Sequence, residues 1–220
     1  MILQRPAQHV IFDLDGILLD TEILYTRAIQ AVVSEYGKTF DWSIKANMIG
    51  RDSREGAAYL VETLQLPFSG TEMLARRRPH LERLFPTVEE KPGAAAFVAR
   101  LKERNVAMAV ATSAERALTD MKLQRHPWFS LFDHLICGDD AGVAKLKPAP
   151  DIFLFAAQKL GVEPSECVVL EDSPAGVDAA LAAGMQVVAM PDPELGPARF
   201  GKATAVVASY AELSPELLGL

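Results

Sequence analysis

The sequence predicts an α/β fold: a Rossmann-like parallel sheet with helices on both faces, interrupted by an inserted four-helix bundle. Three observations carry this expectation. Short apolar runs alternate with helix-length amphipathic segments over residues 88–220, the rhythm of strands joined in parallel by helical crossovers. Those runs end in polar residues, at the position where open parallel sheets bind ligands. Residues 20–87, by contrast, hold no convincing strand. The expected organisation is a core of residues 1–19 and 88–220 and a helical cap of residues 20–87.

In chain order, residues 10–12 (Val-Ile-Phe) form an apolar first strand of the fully buried kind, and Gly16 marks the turn after it. From 21 to 36, Ile23, Leu24, Ala28, Ala31 and Val32 recur at helical spacing, and Gly37 stops the helix. Further helices are predicted over 43–49, 54–65 and 71–85, with Pro67 and Gly70 separating the last two. Four short helices with antiparallel connections make a small bundle. After Pro92 and Gly93 the pattern changes. It predicts a helix over 94–104, a strand over 106–111, a helix over 115–123 and a strand over 135–138. A helix over 151–160, a strand over 167–170, a helix over 175–183 and strands over 186–190 and 205–207 complete the sheet.

The chain has 220 residues, enough for one large domain or a core with an insertion. Its net charge of −7 argues against a nucleic-acid polymer as partner. A small anionic substrate remains compatible if positive charge is local. Cys137 and Cys167 both lie in apolar runs and read as buried free thiols. No leader and no apolar stretch of membrane-spanning length stands out. The expectation is a soluble cytoplasmic protein without a membrane partner, monomeric or weakly dimeric. His9, His80, His126 and His134 lack metal-ligand spacing, and Arg76, Arg77 and Arg78 read as a solvated helix face.

The chemistry collects at the strand ends. Asp13 and Asp15 follow the first strand, separated by one leucine. Two carboxylates that close are costly unless a cation lies between them or one carries a proton. One Asp would serve as a helix cap, a role Asp20 or Thr21 can already fill; two favour a metal or a catalytic pair. The second strand ends in Thr112 and Ser113, and the run Cys-Val-Val-Leu ends in Glu171 and Asp172. Lys147 precedes Pro-Ala-Pro-Asp at the start of a helix. Asp139 and Asp140 also end a strand and read as loop or supporting residues.

Taken in this order, the residues resemble the four motifs of the haloacid-dehalogenase-like superfamily of phosphotransferases. Asp13-Leu14-Asp15-Gly16 looks like the first, Thr112 the second, Lys147 the third and Glu171-Asp172 the fourth. Ile17 stands where Thr or Val is usual, and Leu146 where Gly commonly precedes the lysine. The position of the cap, between the first two motifs, is that of the subfamily with a small helical cap. The resemblance implies Mg²⁺, held by the Asp13 side chain, the Asp15 backbone carbonyl and Asp172, with Glu171 a direct or water-mediated ligand. It implies Asp13 as nucleophile, forming an aspartyl-phosphate, and Asp15 as general acid and base. Thr112 and the backbone N–H groups of Ser113 and Ala114 would hold phosphoryl oxygens, while Lys147 would balance charge and orient Asp13.

Asp15 argues against a dehalogenase, which lacks that residue. Phosphonatases place a Schiff-base lysine on the cap, and neither Lys38 nor Lys45 lies in a clearly apolar setting. The chain also resembles β-phosphoglucomutases around Lys147 and Glu171, but Tyr25 stands where those carry a histidine. The expected function is hydrolysis of a small phosphorylated metabolite, a sugar or nucleotide monophosphate. A mutase and a catalytically idle phosphate-binding module are the alternatives. Tyr25 and Arg51 are the cap residues expected to choose the substrate, since such a cap would close over the site. Outside the motifs, the segments around Leu18 to Tyr25, Asp120 to His126, Phe129 to Asp140 and Ala179 to Val188 resemble pseudouridine-5′-phosphatase-like proteins.

Overall fold

The computed structural model describes residues 2–48 and 53–220. The chain divides into two compact units, Met1–Asp20 with Glu89–Leu220, and Thr21–Val88. The first is built on six strands: β1 (His9–Phe12), β2 (Met108–Thr112), β3 (His134–Cys137), β4 (Cys167–Glu171), β5 (Gln186–Ala189) and β6 (Ala205–Val206). They lie in the order β3-β2-β1-β4-β5-β6, and every pairing is parallel. Parallel strands are buried on both faces, which is why these runs are apolar throughout rather than alternating.

Side chains along β1 alternate between two layers. Ile11 joins a cluster with Ile152, Phe153, Ala156 and Ala157 of α7 (Asp151–Leu160) and Val177, Ala179 and Ala180 of α8 (Pro174–Ala182). Phe12 faces the opposite layer, edge-on to Phe97 of α5 (Ala94–Glu103) and to Phe132, with ring centroids 6.3 and 5.5 Å apart. β2 begins two residues later than the sequence pattern suggests. The Val106 N–H turns back to the Leu101 carbonyl and closes α5, so it is spent on the helix end. α6 (Arg116–Leu123) links β2 to β3.

The second unit holds α1 (Glu22–Ser34), α2 (Trp42–Met48), α3 (Ser53–Leu64) and α4 (Gly70–Leu84). Its own core gathers Ile29, Val32, Val33, Phe40, Ile44, Ala57, Leu60, Leu66 and Met73. α1 stops two residues before the expected end, where the Lys38 N–H returns to the Val33 carbonyl. Ser69 and Glu72 cap α4 reciprocally, satisfying two backbone N–H groups that the helix leaves over. Arg77 departs from the expected solvated face. Its guanidinium lies 5.3 Å from the centre of the Tyr25 ring and its Nε is shielded from water. An arginine can bury its stem and plane against an aromatic face in this way.

Leu18–Asp20 and Glu89–Lys91, the chain just before and just after that unit, run antiparallel. The Asp20 N–H donates to the Glu89 carbonyl and the Lys91 N–H to the Leu18 carbonyl, both at 2.9 Å. Leu19 bridges Glu90 on this side and Asp15 on the other.

Candidate active site

Strand order reverses at the β1–β4 pair: β2 and β3 extend to one side, β5 and β6 to the other. In such sheets the crevice for a ligand opens at the carboxyl ends of the strands at this switch point. Phe12 lies opposite Leu170, and the Asp13 N–H donates to the Leu170 carbonyl at 2.9 Å. Asp13 therefore emerges beside Glu171, with the end of β2 on its other flank.

Asp13 is buried and bonded to the ammonium of Lys147. The same ammonium donates to Glu171 Oε1 at 2.8 Å and to the Ala111 carbonyl at 3.1 Å, and lies 4.7 Å from the centre of the Phe153 ring. One cation thus serves two buried carboxylates. Burial pushes the Asp13 carboxyl up, Lys147 pulls it down, Glu171 and Asp15 push it up again, and the balance lies at about 7. Burial works to discharge Lys147, but Asp13 and Glu171 outweigh it and hold the lysine above its ordinary range. Leu146 is exposed, and its presence in place of glycine leaves this amine in the site.

Glu171 has its second oxygen occupied as well. Oε2 accepts from the Ser173 N–H at 2.8 Å and the Ser173 hydroxyl at 2.9 Å. A Cβ at Gly176 would fall 1.7 Å from Glu171 Oε1, so the carboxylate lies in space that only glycine leaves open. Asp172 is related in the same way to Gly16. That residue has φ +83°, and a Cβ on it would stand 1.9 Å from Asp172 Oδ2. The turn after β1 thus meets the turn after β4 at Gly16, while Gly176 makes room for Glu171 within the β4–α8 segment.

Asp15 has a different partner. Lys122, on the last turn of α6, sends its ammonium to Asp15 Oδ1 and Oδ2 at 2.6 and 2.8 Å. The lysine side chain is 0% exposed and the Asp15 side chain 22%. The Thr112 hydroxyl stands 3.4 Å from Asp15 Oδ2 and accepts the Ala114 N–H at 3.2 Å. Ser113 beside it is exposed. Lys122 lies outside the four motifs, and nothing in its local sequence marks it as a partner of Asp15. The available signal was weak: Thr119, Lys122 and His126 repeat at helical spacing and are all buried, a polar stripe that makes sense only once its partner is known.

Asp139 and Asp140 brace the neighbouring loop. Asp139 accepts the Arg116 N–H, and Asp140 takes both the Arg116 guanidinium and the Cys137 N–H. Tyr25 lies in the second unit, half-buried, with its ring edge-on to Phe85 at 5.6 Å. Arg51 lies outside the described residues.

A family model of haloacid dehalogenase-like hydrolases matches residues 10–190. The chain belongs to that family. Among the haloacid dehalogenase-like hydrolases and their curated relatives, a probable pseudouridine-5′-phosphatase of Drosophila melanogaster is 43% identical, over 98% of this chain and 95% of its own. The (DL)-glycerol-3-phosphatase 2 of Arabidopsis thaliana is 41% identical, over 96% and 91%. The crystal structure of CbbY from Rhodobacter sphaeroides in complex with phosphate has a TM-score of 0.80 at 26% identity, covering 97% of this chain and all of that one. The relatives carry phosphatase names, and this chain is an enzyme of the same hydrolase family.

The donors of this haloacid dehalogenase-like site fit a hard divalent cation. Among the described residues no three His, Cys, Asp or Glu side chains gather as a metal cage. A small, strongly hydrated cation needs only one or two carboxylates and keeps its waters. Asp13 and Glu171 share the single ammonium of Lys147, so this pair when fully ionised is short of positive charge, and buried charge without a partner is costly. Burial first, and then the neighbouring carboxylates Glu171 and Asp15, raise Asp13 to about 7 against the pull of Lys147. Among the described residues, no helix is long and apolar enough to cross a membrane.

Proposed function

We propose that this chain is a Mg²⁺-dependent phosphomonoesterase that forms a phosphoryl intermediate on Asp13. The observation that carries the reading is the Asp13–Lys147–Glu171 cluster at the switch point, with Asp15 two residues on and paired separately. Asp13, the Asp15 carbonyl and Asp172 would hold Mg²⁺, with Glu171, whose oxygens are engaged by Lys147 and Ser173, reaching it through water. When bound, the ion supplies the positive charge that lets a carboxylate meet a phosphate dianion.

Asp13 attacks phosphorus, and Lys147 orients its carboxylate and offsets its charge. Asp15 gives a proton to the leaving oxygen and afterwards takes one from the attacking water. Thr112 and the N–H groups of Ser113 and Ala114 hold the non-bridging oxygens, the Ala114 N–H exchanging its present bond with Thr112 for the ligand. Tyr25 and Arg51 select the substrate. Tyr25, in place of the mutase histidine, favours release of inorganic phosphate over transfer to a second hydroxyl. The substrate class is a small phosphorylated metabolite such as a nucleotide, sugar or glycerol monophosphate, in keeping with the names of the relatives.

We assign the enzyme to the cytoplasm as a monomer or weak homodimer. Cys137 and Cys167 are free and buried, which suits a reducing compartment. The test is phosphate release from a panel of phosphomonoesters with Mg²⁺, against EDTA and Asp13→Asn. The panel includes pseudouridine 5′-phosphate, glycerol 3-phosphate and β-glucose 1-phosphate. Metal-dependent release lost in the variant is expected. Conversion of β-glucose 1-phosphate to the 6-phosphate would replace the hydrolase with a mutase, and no turnover at all would remove the reading.

A further inference from the structure

We infer that Lys122 is a positioning residue for Asp15, gripping its carboxylate where it must exchange a proton with the oxygen atoms at phosphorus. The inference rests on the acid–base role proposed above for Asp15. Three features of the core lead to it.

Lys122 occupies the last turn of α6, where a lysine would ordinarily sit in water and favour the helix terminus by its charge alone. Here the side chain is wholly shielded and runs to both oxygens of one carboxylate, at 2.6 and 2.8 Å. Thr112, which ends the strand leading into α6, stands 3.4 Å from Oδ2 of the same group. From the opposite side the backbone is fixed by the Gly16 N–H bond to the Leu19 carbonyl at 2.8 Å and by the Asp15–Leu19 bridge. Side chain and main chain of Asp15 are therefore held independently.

Stability does not demand this arrangement. Apolar residues of similar volume commonly replace a buried ion pair at no loss. Position does demand it. In the first half-reaction an Asp13 oxygen bonds to phosphorus while the ester P–O bond breaks. The leaving oxygen keeps that electron pair and takes the Asp15 proton. In the second half a water oxygen bonds to phosphorus, its proton passes to Asp15, and the bond from phosphorus to Asp13 breaks with its pair returning to Asp13. Both transfers need the Asp15 carboxyl within hydrogen-bond reach of the oxygen concerned. A displacement of about 1 Å costs on the order of a hundredfold in rate. A carboxylate accepts at about four positions, so the three contacts from Lys122 and Thr112 leave one open for that oxygen.

The test compares two leaving groups, because p-nitrophenolate departs without a proton and an alkoxide does not. Lys122→Met, Lys122→Arg and Asp15→Asn are assayed with Mg²⁺ on p-nitrophenyl phosphate and on the alkyl monoester turned over best. For Lys122→Met, kcat/KM on the alkyl ester is expected to fall about ten- to a hundredfold. On the aryl ester kcat/KM should stay within about threefold, since it reports only the steps up to the phosphoenzyme. The kcat should fall for both esters, since both share the water step, and Lys122→Arg should restore most of the alkyl-ester rate. If Lys122→Met does not fold, Lys122→Gln carries the same comparison. An Asp15→Asn variant that fails to separate the two esters would overturn the acid–base reading and this inference together. Separation by Asp15→Asn but an equal loss, or no loss, of kcat/KM on both esters in Lys122→Met would overturn the positioning role alone.

Discussion

The half of the site around Asp13 and the half around Asp15 start two residues apart and are built on opposite plans. Around Asp13 a single buried ammonium is divided between two buried carboxylates. Around Asp15 an ammonium just as deeply buried is given to one carboxylate that still reaches solvent. The first half is short of positive charge without a bound ion; the second is already compensated. On the mechanism proposed above, a divalent cation would be needed on one side only, where Asp13 would meet an anion.

The largest expected effect separates chemistry from folding. Asp13→Asn should reduce phosphate release to background, and Lys147→Met should lower kcat by about a thousandfold, measured on the best ester of the panel. In EDTA at neutral pH, urea unfolding should then divide the two aspartates by sign. Asp15→Asn leaves Lys122 buried against a neutral partner and should lose on the order of 3 kcal/mol. Asp13→Asn removes a charge that burial disfavours and should gain stability. Loss in both variants would break the contrast.

The pH dependence of that gain has a definite sense. The Asp13 carboxyl titrates at about 7 in the folded protein, against an ordinary value of 3.8. Between these values the folded state binds more protons than the unfolded one, so stability falls as pH rises through the window. Melting curves of the metal-free protein and of Asp13→Asn should coincide near pH 4 and diverge up to about pH 7, and Mg²⁺ should narrow the gap. Gly176→Ala should cost about 1–3 kcal/mol, as overpacking does, because its Cβ displaces the Glu171 carboxylate. At the small end, Lys202→Ala breaks an exposed pair with Asp178 and should change stability by less than about 0.5 kcal/mol.

The two halves also differ in how far they can be read from sequence. Asp13, Thr112, Glu171 and Asp172 stand at the ends of apolar runs and Lys147 stands before Pro-Ala-Pro-Asp at a helix start, where the pattern is visible locally. Lys122 lies within an ordinary helix of mixed polarity, and its burial is defined by Asp15, more than a hundred positions earlier. Pairing at that distance leaves no periodic trace. The parallel strands were legible because burial on both faces makes them continuously apolar. Their ends were not: Val106 is as apolar as Met108, and only the closing bond to Leu101 assigns it to a helix terminus. Strand order was unreadable for a related reason, since the choice of neighbour is made by crossovers rather than by composition. Arg77 shows the same limit on a smaller scale, because the face of Tyr25 that covers it is fixed by packing.

The short ribbon between Leu18–Asp20 and Glu89–Lys91 has a consequence for how such a protein changes over time. Its hydrogen bonds close the core on itself at the two points where the chain leaves and returns. Everything from Thr21 to Val88 is, for the sheet, a single long hairpin loop. Excision of that loop behind a tight turn should leave the strand register, the two glycine slots and both buried lysines in place, since all of them belong to the first unit. The ribbon is in this sense a splice junction, at which an insert could be exchanged without touching the residues proposed for the phosphoryl chemistry.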